Sequence, residues 1–305
     1  MSSPEEFEVL EKHKKSKIVF LSPFELNKNA KYRKEKVSLR DFKQGCVGNC
    51  GLVAALASLS RRPEFLSEIA PVVDQTNNSV RLHFIMYHKG EPVTVTIDDK
   101  LPFFKPNSFA KIFGIRPWPA YASSFKSRDF HLAPLFEKAV VKQVCSGSYQ
   151  RCAGMKPRLV FSLLSDCLSL LRAWEKFESS EHDLEGLLQS ELSNGSSVVL
   201  SVKPDIFYNR NDVKKDGHAY TVVGYDKKRK AVKLYNPNFQ TVAIGNLRHL
   251  FLGNANLTKG ELWVPLDRLD RRFVSLCSLQ SKNMYRSDFV IERKLEKSDF
   301  DENYL

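Results

Sequence analysis

Apolar residues recur at helical intervals through much of the first half of the chain. After Cys50 this spacing predicts a buried helix that runs toward Ala70. The same period predicts helices over residues 131–144 and 158–177, and a shorter helix that ends on Gly195 as its cap.

Strand-like alternation of apolar and polar residues dominates the second half. After residue 195 the chain consists of short β-rich runs separated by turns, at residues 197–202, 217–226, 231–237 and 241–246. In the first half, residues 80–87 and Glu91–Asp98 alternate around a turn of hairpin length. The aromatic, proline-bearing residues 103–128 fit neither period and predict an ordered loop or insertion. A helix-rich half that precedes a strand-rich half predicts an α+β fold.

These patterns divide the chain into four parts. Residues 1–37 are predicted to form a basic, polar N-terminal extension, residues 38–156 a helix-rich lobe, residues 157–278 a β-rich lobe, and residues 279–305 a charged C-terminal tail. A chain of 305 residues is long enough for two such lobes with sizeable cores.

The charge balance does not by itself indicate a nucleic-acid partner. The chain has 47 lysine and arginine residues against 35 aspartate and glutamate residues, a net charge of +12. The densest basic stretch, residues 28–43, contains two aromatic residues, Tyr32 and Phe42, whereas stacking platforms for nucleic acid interleave several aromatics with basic residues. Neither zinc-finger spacing nor an RNA-binding signature is present. We therefore expect a solvated basic surface and no specific nucleic-acid partner.

The compartment is inferred from what the sequence lacks. No apolar run reaches the length of a membrane span, and the charged N-terminus has no apolar core of a signal peptide. We therefore expect a cytoplasmic protein, or a nuclear one, that is not secreted. The six scattered cysteines are then expected to be free thiols. We also expect a monomer.

The stretch KQGCVGNCGLVAALASL, residues 43–59, places Cys50 in the first turn of a predicted helix. Unpaired backbone N–H groups and the positive end of the helix dipole favour a thiolate there, which activates a cysteine as a nucleophile. The side-chain amide of Gln44 supplies a donor for a developing oxyanion. A cysteine at a helix start is nevertheless more often structural than catalytic when taken alone.

Besides a catalytic or a structural cysteine, this stretch could contain a metal-binding pair of cysteines. Cys46 and Cys50 are spaced C-x3-C, while Cys145 and Cys152 are separated by six residues. No pair of histidines accompanies either pair of cysteines, so the spacing does not support a zinc site.

A catalytic cysteine needs a base, and His218 is the candidate among seven histidines. It begins the alternating run HAYTVVGYD, and the following run, AVKLYNPN, returns from a turn near Lys228. Such a hairpin places His218 across from residues 236–238, where Asn236 could accept a hydrogen bond and fix the imidazole tautomer. Taken alone, each of the two residues is better explained as a strand or turn residue. Together with Cys50 and Gln44, they have the chemistry and the chain order of a catalytic site.

Four blocks of the sequence resemble the protease core of the calpain family. The block DFKQGCVGNCGLVAALASL is similar to its nucleophile motif Gln-Gly-x-x-Gly-Asp-Cys-Trp, and PLFEKAVVKQVCSGSYQ resembles its helix Leu-Leu-Glu-Lys-Ala-Tyr-Ala-Lys-x-x-Gly-Ser-Tyr-Glu. The runs DGHAYTVVGYD and LYNPN are similar to Gly-His-Ala-Tyr-Ser-Val and Arg-Asn-Pro-Trp-Gly, and GELWVPLDRLDRRF resembles the end of the core. In order and spacing the blocks cover roughly residues 38–277.

The resemblance implies a papain-like, two-lobed cysteine protease core. A helical lobe would carry the cysteine, a β-rich lobe would carry the histidine and asparagine, and substrate would lie in the cleft between them. Cys50 would be the nucleophile, His218 the general base and acid, Asn236 the residue that orients it, and Gln44 the oxyanion donor.

Substrate contacts and departures from the family pattern also follow from the resemblance. Gly48 and Gly217 would offer backbone to an extended substrate. Gly51 and Asn238 stand where the family has tryptophan, and Asn49 where it has aspartate. We expect the two lost rings to widen or soften the cleft, and the second loss to expose the histidine–asparagine pair to water.

The family uses calcium to align its lobes, and here the corresponding ligands are largely replaced. Asp41 is the one acidic position of the first-lobe site that is kept, as a remnant calcium ligand. Gln150 occupies a position where the family has glutamate, and Lys36 one where it has glycine. In the second lobe, Lys259 replaces an expected acidic residue. A calcium site needs several converging oxygens, so we expect calcium to be possible but not required.

The sequence thus predicts a calpain-like intracellular cysteine endopeptidase that acts on proteins or peptides with weak or no calcium dependence. Two alternatives stay open at this point. A calpain-like pseudoprotease would bind partners through the old cleft, in line with the lost tryptophans and calcium ligands. An acyl transferase on a papain-like fold would use the same triad with an amine or thiol acceptor.

Overall fold

The chain combines helices with antiparallel sheets, which agrees with the predicted α+β class. The computed structural model describes residues 7–11, 18–32, 36–76, 79–107, 112–113, 116–124, 131–165, 171–175, 183–202, 217–238, 255–256, 260–270 and 273–280. No helix in these ranges has the length and apolarity needed to cross a membrane.

The first half contains small sheets as well as helices. Its helices are α1 (Pro23–Leu26), α2 (Cys50–Leu59), α3 (Pro63–Ile69) and α4 (Leu132–Val144). Its strands are β1 (Ile18–Leu21), β2 (Val72–Thr76), β3 (Ser79–His88), β4 (Glu91–Asp98), β5 (Leu101–Phe104) and β6 (Trp118–Pro119). They form two three-stranded sheets with the orders β1–β5–β6 and β2–β3–β4.

The predicted hairpin in the first half is confirmed. Strands β3 and β4 pair antiparallel, and His88 faces Glu91 across a two-residue turn. Lys89 and Gly90 both have positive φ, at 54° and 89°. Two central residues of this kind match the right-handed twist of the flanking strands.

The second half is built on one seven-stranded antiparallel sheet. Its helices are α5 (Pro157–Leu164), α6 (Leu184–Ser193) and α7 (Leu266–Asp270). Its strands are β7 (Leu171–Glu175), β8 (Ser197–Val202), β9 (His218–Asp226), β10 (Ala231–Tyr235), β11 (Ala255–Asn256), β12 (Glu261–Pro265) and β13 (Phe273–Leu279). The strand order is β11–β12–β10–β9–β8–β13–β7.

Apolar residues cover both faces of this sheet. Val199 and Leu279 belong to the large core that also includes α2 and α4. Val198 and Leu200 belong to a second cluster, with Leu188 of α6. Neighbouring residues of β8 therefore pack into different hydrophobic clusters on the two faces of the sheet. Because both faces are buried, the sequence of this strand is almost continuously apolar.

Helix α2 packs directly on the large sheet. Nine of its ten residues are buried, and it contacts β8 and β9. The hydroxyl of Thr221 on β9 donates to the carbonyl of Ala54 on α2 over 2.7 Å. The hydroxyl of Tyr235 on β10 donates to the Phe42 carbonyl over 2.8 Å. The two halves of the chain are thus joined by buried hydrogen bonds.

Two predicted helices are shorter than their hydrophobic patterns indicate. The first ends at Leu59, and α3 begins at Pro63, because proline is favoured in the first turn of a helix but cannot continue one. The predicted helix over residues 158–177 is wrong beyond Leu164. Residues Leu171–Glu175 instead form an edge strand that pairs with β13. Pairing with a distant strand overrides the helical period here.

Part of the predicted loop over residues 103–128 is also β-structure. Strand β5 pairs with β1, and Phe103 and Phe104 pair with the short strand β6. Residues 108–111, 114–115 and 125–128 of this loop, and the predicted strand at 241–246, lie outside the described residues.

Residues before position 38 contribute to the core, which their polar composition did not indicate. Leu10 and Tyr32 are buried, and β1 belongs to a sheet. At the other end, Leu279 is the last residue of β13 and is fully buried. The predicted boundaries between the four parts of the chain stay predictions. Residues 281–305 lie outside the described ranges.

Candidate active site

Cys50 is the first residue of α2 and is half-buried. Asn49 precedes it as the N-cap, but the Asn49 side chain makes no capping hydrogen bond. Burial raises the pKa of the Cys50 thiol, whereas a hydrogen bond with His218, the charge of that ring and the backbone N–H groups of Ala219 and Gly51 lower it. The lowering effects prevail, so the pKa lies below its ordinary value and the thiolate is favoured.

The tautomer of His218 follows from the hydrogen bonds of Asn236. Nε2 of His218 lies 2.8 Å from Oδ1 of Asn236. The backbone N–H of Asn238 donates to the same atom over 2.9 Å, which identifies it as the amide oxygen. Because this oxygen can only accept, Nε2 carries the proton. The hydrogen bond with Cys50 therefore falls to Nδ1 of the ring.

A hairpin places the histidine beside the asparagine, as its sequence pattern predicted. Strand β9 begins at His218, and β10 ends at Tyr235, directly before Asn236. The strands pair from Asp226 to Thr221, with an irregularity in the register between them. Both side chains are buried.

Gln44 joins the two sides of the site. Its backbone N–H donates to the carbonyl of Pro237 over 2.9 Å. Its side-chain Nε2 donates to the carbonyl of Val47 over 2.7 Å, and an amide nitrogen carries a second hydrogen. Oε1 of Gln44 is buried and has no hydrogen-bond partner within the described part of the chain.

The two glycines predicted to contact substrate differ in their surroundings. At Gly217 an added Cβ would lie 2.8 Å from the carbonyl oxygen of Val202, so the close approach of the two backbone segments requires glycine. At Gly48 an added Cβ would meet Ala153 at an ordinary 3.7 Å. The carbonyl of Gly48 accepts a hydrogen bond from the Gly154 N–H over 2.9 Å.

The expectation that the missing tryptophan at position 51 opens the cleft is wrong. A Cβ added to Gly51 would collide with the carbonyl oxygen of Met155 and would lie 3.0 Å from Cδ of Pro157. The chain at these residues occupies the space that a side chain would take. At Asn238 the situation differs, because Nδ2 of the neighbouring Asn236 is buried and has no partner among the described residues.

Glu137 is a part of the site that the sequence did not reveal. It is buried in α4 and accepts hydrogen bonds from Nδ2 of Asn49 over 2.7 Å and from the N–H of Ala122 over 3.0 Å. Burial raises its pKa to about 7, although both hydrogen bonds oppose the shift. The sequence signal that could have revealed a buried, hydrogen-bonded carboxyl group is the position of this glutamate within an otherwise apolar helical stripe.

Asp41, the predicted remnant of a calcium site, serves as a local cap. It is fully buried, and its Oδ2 accepts from the backbone N–H and the hydroxyl of Ser38, each over 2.9 Å. Its Oδ1 accepts from the Ser124 hydroxyl over 3.1 Å. Both oxygens thus accept hydrogen bonds from neighbouring backbone and side-chain groups. Within the described ranges, no three His, Cys, Asp or Glu side chains converge in a metal-binding arrangement.

Comparison with known proteins gives a family match for most of the chain. The family described as "Calpain family cysteine protease" matches residues 4–246. The chain is 28% identical to the human Calpain-1 catalytic subunit over 213 residues, which are 68% of this chain and 28% of that protein. It is 26% identical to the Calpain-2 catalytic subunit of Rattus norvegicus over 285 residues, 85% of this chain and 38% of the relative. For Calpain-A of Drosophila melanogaster the identity is 26% over 210 residues, 67% of this chain and 23% of that protein.

The match is broad in this chain and partial in its relatives. The matched residues 4–246 include Cys50, His218 and Asn236. The chain spans between 23% and 38% of the length of these three relatives. The chain belongs to the calpain family of cysteine proteases.

Proposed function

We propose that this chain is a cysteine endopeptidase that hydrolyses peptide bonds in protein substrates through Cys50, His218 and Asn236. The observation that carries the proposal is the continuous hydrogen-bonded row from thiol to imidazole to amide oxygen. In it the tautomer of His218 is fixed by Asn236, and the lone pair at Nδ1 is available to the thiol.

Acylation would begin with the proton of Cys50 on Nδ1 of His218. The thiolate attacks the substrate carbonyl, and the negative charge on its oxygen is stabilised by the Cys50 backbone N–H and the second amide hydrogen of Gln44. The tetrahedral intermediate collapses as His218 gives its proton to the leaving amine. A thioester on Cys50 and a free amine result.

Deacylation would use the same residues in reverse order. Nδ1 of His218 takes a proton from water, which attacks the thioester carbonyl. When the intermediate collapses, the acid product leaves and the sulfur of Cys50 is regenerated. Throughout, the Asn236 oxygen holds the ring in place, and the Asn238 N–H holds that oxygen.

We further propose a papain-like division into two lobes, with substrate bound between them. The nucleophile lies on α2 in the first half, while the base lies on the large sheet of the second half. An extended substrate would bind the backbone of Gly48 and Gly217, which belong to opposite sides. The close approach of Gly217 to Val202 supports a role for its backbone rather than for a side chain.

Calcium independence is a separate proposal. The two sides are already connected by the Thr221–Ala54, Tyr235–Phe42 and Gln44–Pro237 hydrogen bonds. Such direct links would maintain alignment without an ion. The hydrogen-bonded carboxylate of Asp41 supports the same proposal.

The deciding experiment measures cleavage of an unfolded protein by wild type and by Cys50→Ala, each in calcium and in a chelator. Cys46→Ala is the matched control, since Cys46 is an exposed cysteine four residues away. We expect wild type and Cys46→Ala to cleave in both conditions and Cys50→Ala to be inactive. Loss of cleavage in the chelator would refute calcium independence but would leave the proposed protease activity intact. Transfer of the acyl group to an added amine with little hydrolysis would indicate an acyl transferase.

One observation favours the second candidate function, a pseudoprotease that binds partners through the cleft. Oε1 of Gln44 and Nδ2 of Asn236 are both buried without a hydrogen-bond partner in the described part of the chain. A bound partner could satisfy such groups. Absence of cleavage under every condition by a folded wild type would establish this alternative over the protease.

A further inference from the structure

Two cysteines that the proposed mechanism does not use lie side by side in the first half. Cys145 follows the last residue of α4, and Cys152 ends the short 3-10 helix Tyr149–Cys152. Their sulfur atoms are 2.7 Å apart, and both side chains are buried. This separation exceeds a disulfide bond by only about 0.7 Å.

The turn between the two cysteines is held in one conformation. Ser146 and Gly147 have positive φ, at 50° and 79°, which reverses the chain after α4. The N–H of Ser148 donates to the Cys145 carbonyl over 2.9 Å. The geometry that brings the sulfurs together is thus supported by backbone hydrogen bonds.

A strand-like contact from the N-terminal part fixes the same turn from outside. The N–H of Glu8 donates to the Gly147 carbonyl over 2.9 Å, and the N–H of Tyr149 donates to the Glu8 carbonyl over 3.0 Å. Glu8 and Ser148 form an isolated parallel bridge. The sulfurs therefore face each other from two anchored backbone segments.

We propose that Cys145 and Cys152 form a two-electron redox site that closes to a disulfide by exchange with a small disulfide such as oxidised glutathione. One cysteine thiolate attacks a glutathione sulfur and releases the first glutathione thiolate. The second cysteine thiolate then attacks the protein sulfur of the mixed disulfide and releases the second glutathione. The pair loses two electrons and two protons, and one oxidised glutathione becomes two reduced ones.

The site differs from a fast redox sensor. The hydrogen bond with Cys145, followed by burial, raises the pKa of Cys152 well above its ordinary value. Few thiolates form at neutral pH, and the small disulfide must reach a buried sulfur. Closure in the folded protein is therefore slow, and it speeds up with increasing pH.

Closure would stabilise the backbone behind the nucleophile without involving Cys50. Two residues after Cys152, the N–H of Gly154 donates to the carbonyl of Gly48. The next residue, Met155, places its carbonyl against Gly51. A covalent link at residues 145–152 removes freedom of this segment in the unfolded chain, so the closed form should unfold at a higher temperature.

The test uses Cys50→Ala, which retains five of the six cysteines, and so does not depend on protease activity. One sample is incubated folded with oxidised glutathione at pH 8.5, and another is refolded from denaturant in a glutathione buffer. After unfolding and alkylation with a maleimide, we expect three labels in place of five and one peptide pair linked through Cys145 and Cys152. Reduction restores five labels. We expect the closed form to melt about 5 °C higher.

Matched variants separate this site from general oxidation. Adding Cys46→Ser removes an exposed thiol and should leave the linked peptide and the melting shift intact. Adding Cys152→Ser should abolish both, while the variant still folds. Five labels after both incubations, or a linked peptide that joins other cysteines, would overturn the proposal. A linked pair without any change in melting would overturn its stabilising role.

Discussion

The two sides of the candidate site depart from the family motif in different ways. On the nucleophile side, the position after Cys50 is Gly51, and the backbone at Met155 fills the space beside it. On the histidine side, the position after Asn236-Pro237 is Asn238, and Nδ2 of Asn236 remains buried without a partner in the described ranges. Both positions lack the expected tryptophan, and at Gly51 the backbone of the described chain fills the space beside it.

This difference indicates which departure has a cost. A lost side chain is neutral when the backbone repacks into its place, because no cavity is left. A buried amide group without a hydrogen bond destabilises the fold by about 1–3 kcal/mol. The nucleophile side should therefore resist restoration of the motif, while the histidine side should accept it.

Restoring tryptophan on the nucleophile side should have the largest effect. In Gly51→Trp even the Cβ collides with the Met155 carbonyl, so the segment from Met155 to Pro157 must move. We expect a loss of more than about 4 kcal/mol in the free energy of unfolding, measured by urea titration. Gly48→Ala, where a Cβ meets only an ordinary contact, is the control and should cost less than about 1 kcal/mol. Equal stability of both variants would show that the nucleophile side is not closed.

The oxyanion role of Gln44 comes next in size. Gln44→Ala removes the side-chain donor, and kcat/KM for peptide cleavage should fall by about 100- to 1,000-fold. Alkylation of Cys50 by a small reagent forms no oxyanion, so its rate should change by less than about threefold. A parallel loss in both rates would instead mean that the Gln44–Val47 hydrogen bond supports the position of Cys50.

The buried carboxyl group of Glu137 provides a test of the nucleophile side through pH. Its pKa is raised from 4.5 to about 7, so the folded protein keeps a proton that the unfolded chain has already released. The associated stability is complete below pH 4.5 and is lost as the pH rises through 7, by about 3 kcal/mol in total. Unfolding by urea between pH 4.5 and 8 should reveal this slope in wild type.

Glu137→Gln removes the titrating group but keeps an oxygen for the Nδ2 of Asn49. This variant should lose the slope that is due to Glu137, whatever its absolute stability. If wild type and variant show the same dependence on pH, the carboxyl group of Glu137 is not as deeply enclosed as its contacts indicate.

Sequence patterns were sufficient where chemistry is local. The helix that starts at Cys50 and the hairpin that brings His218 to Asn236 both follow from spacing within about twenty residues. The close contact of Gly51 with Met155 and the hydrogen bond from Asn49 to Glu137 join residues roughly 90 to 100 positions apart. A single sequence carries no periodic signal for such contacts.

The wrong predictions have the same physical origin. The run over residues 158–177 is apolar enough for either a helix or a strand, and its pairing with β13 decides in favour of a strand at Leu171–Glu175. Burial of Leu10 and Tyr32 depends on elements that lie far away in the chain. Polar composition near the N-terminus could not reveal those partners.

The smallest expected effect comes from restoring tryptophan on the histidine side. Asn238 is partly exposed and is linked to Asn236 through its backbone N–H, which a substitution retains. Asn238→Trp should therefore change the free energy of unfolding by less than about 1 kcal/mol. A ring there would exclude water from the hydrogen bond between His218 and Asn236, and a bond strengthened by about 1 kcal/mol corresponds to an increase of about fivefold in kcat/KM.

Asn238→Ala separates the ring from the loss of the asparagine side chain, and it should leave kcat/KM near the wild-type value. The pH at which half of Cys50 reacts with an alkylator gives a second readout, which does not require cleavage. It should fall in Asn238→Trp, since a better-held imidazole stabilises the thiolate. A tryptophan that destabilises position 238 as strongly as position 51 would contradict the difference between the two sides. If the fold accepts the ring but neither rate nor pH midpoint changes, access of water to the hydrogen bond between His218 and Asn236 is not what limits this site.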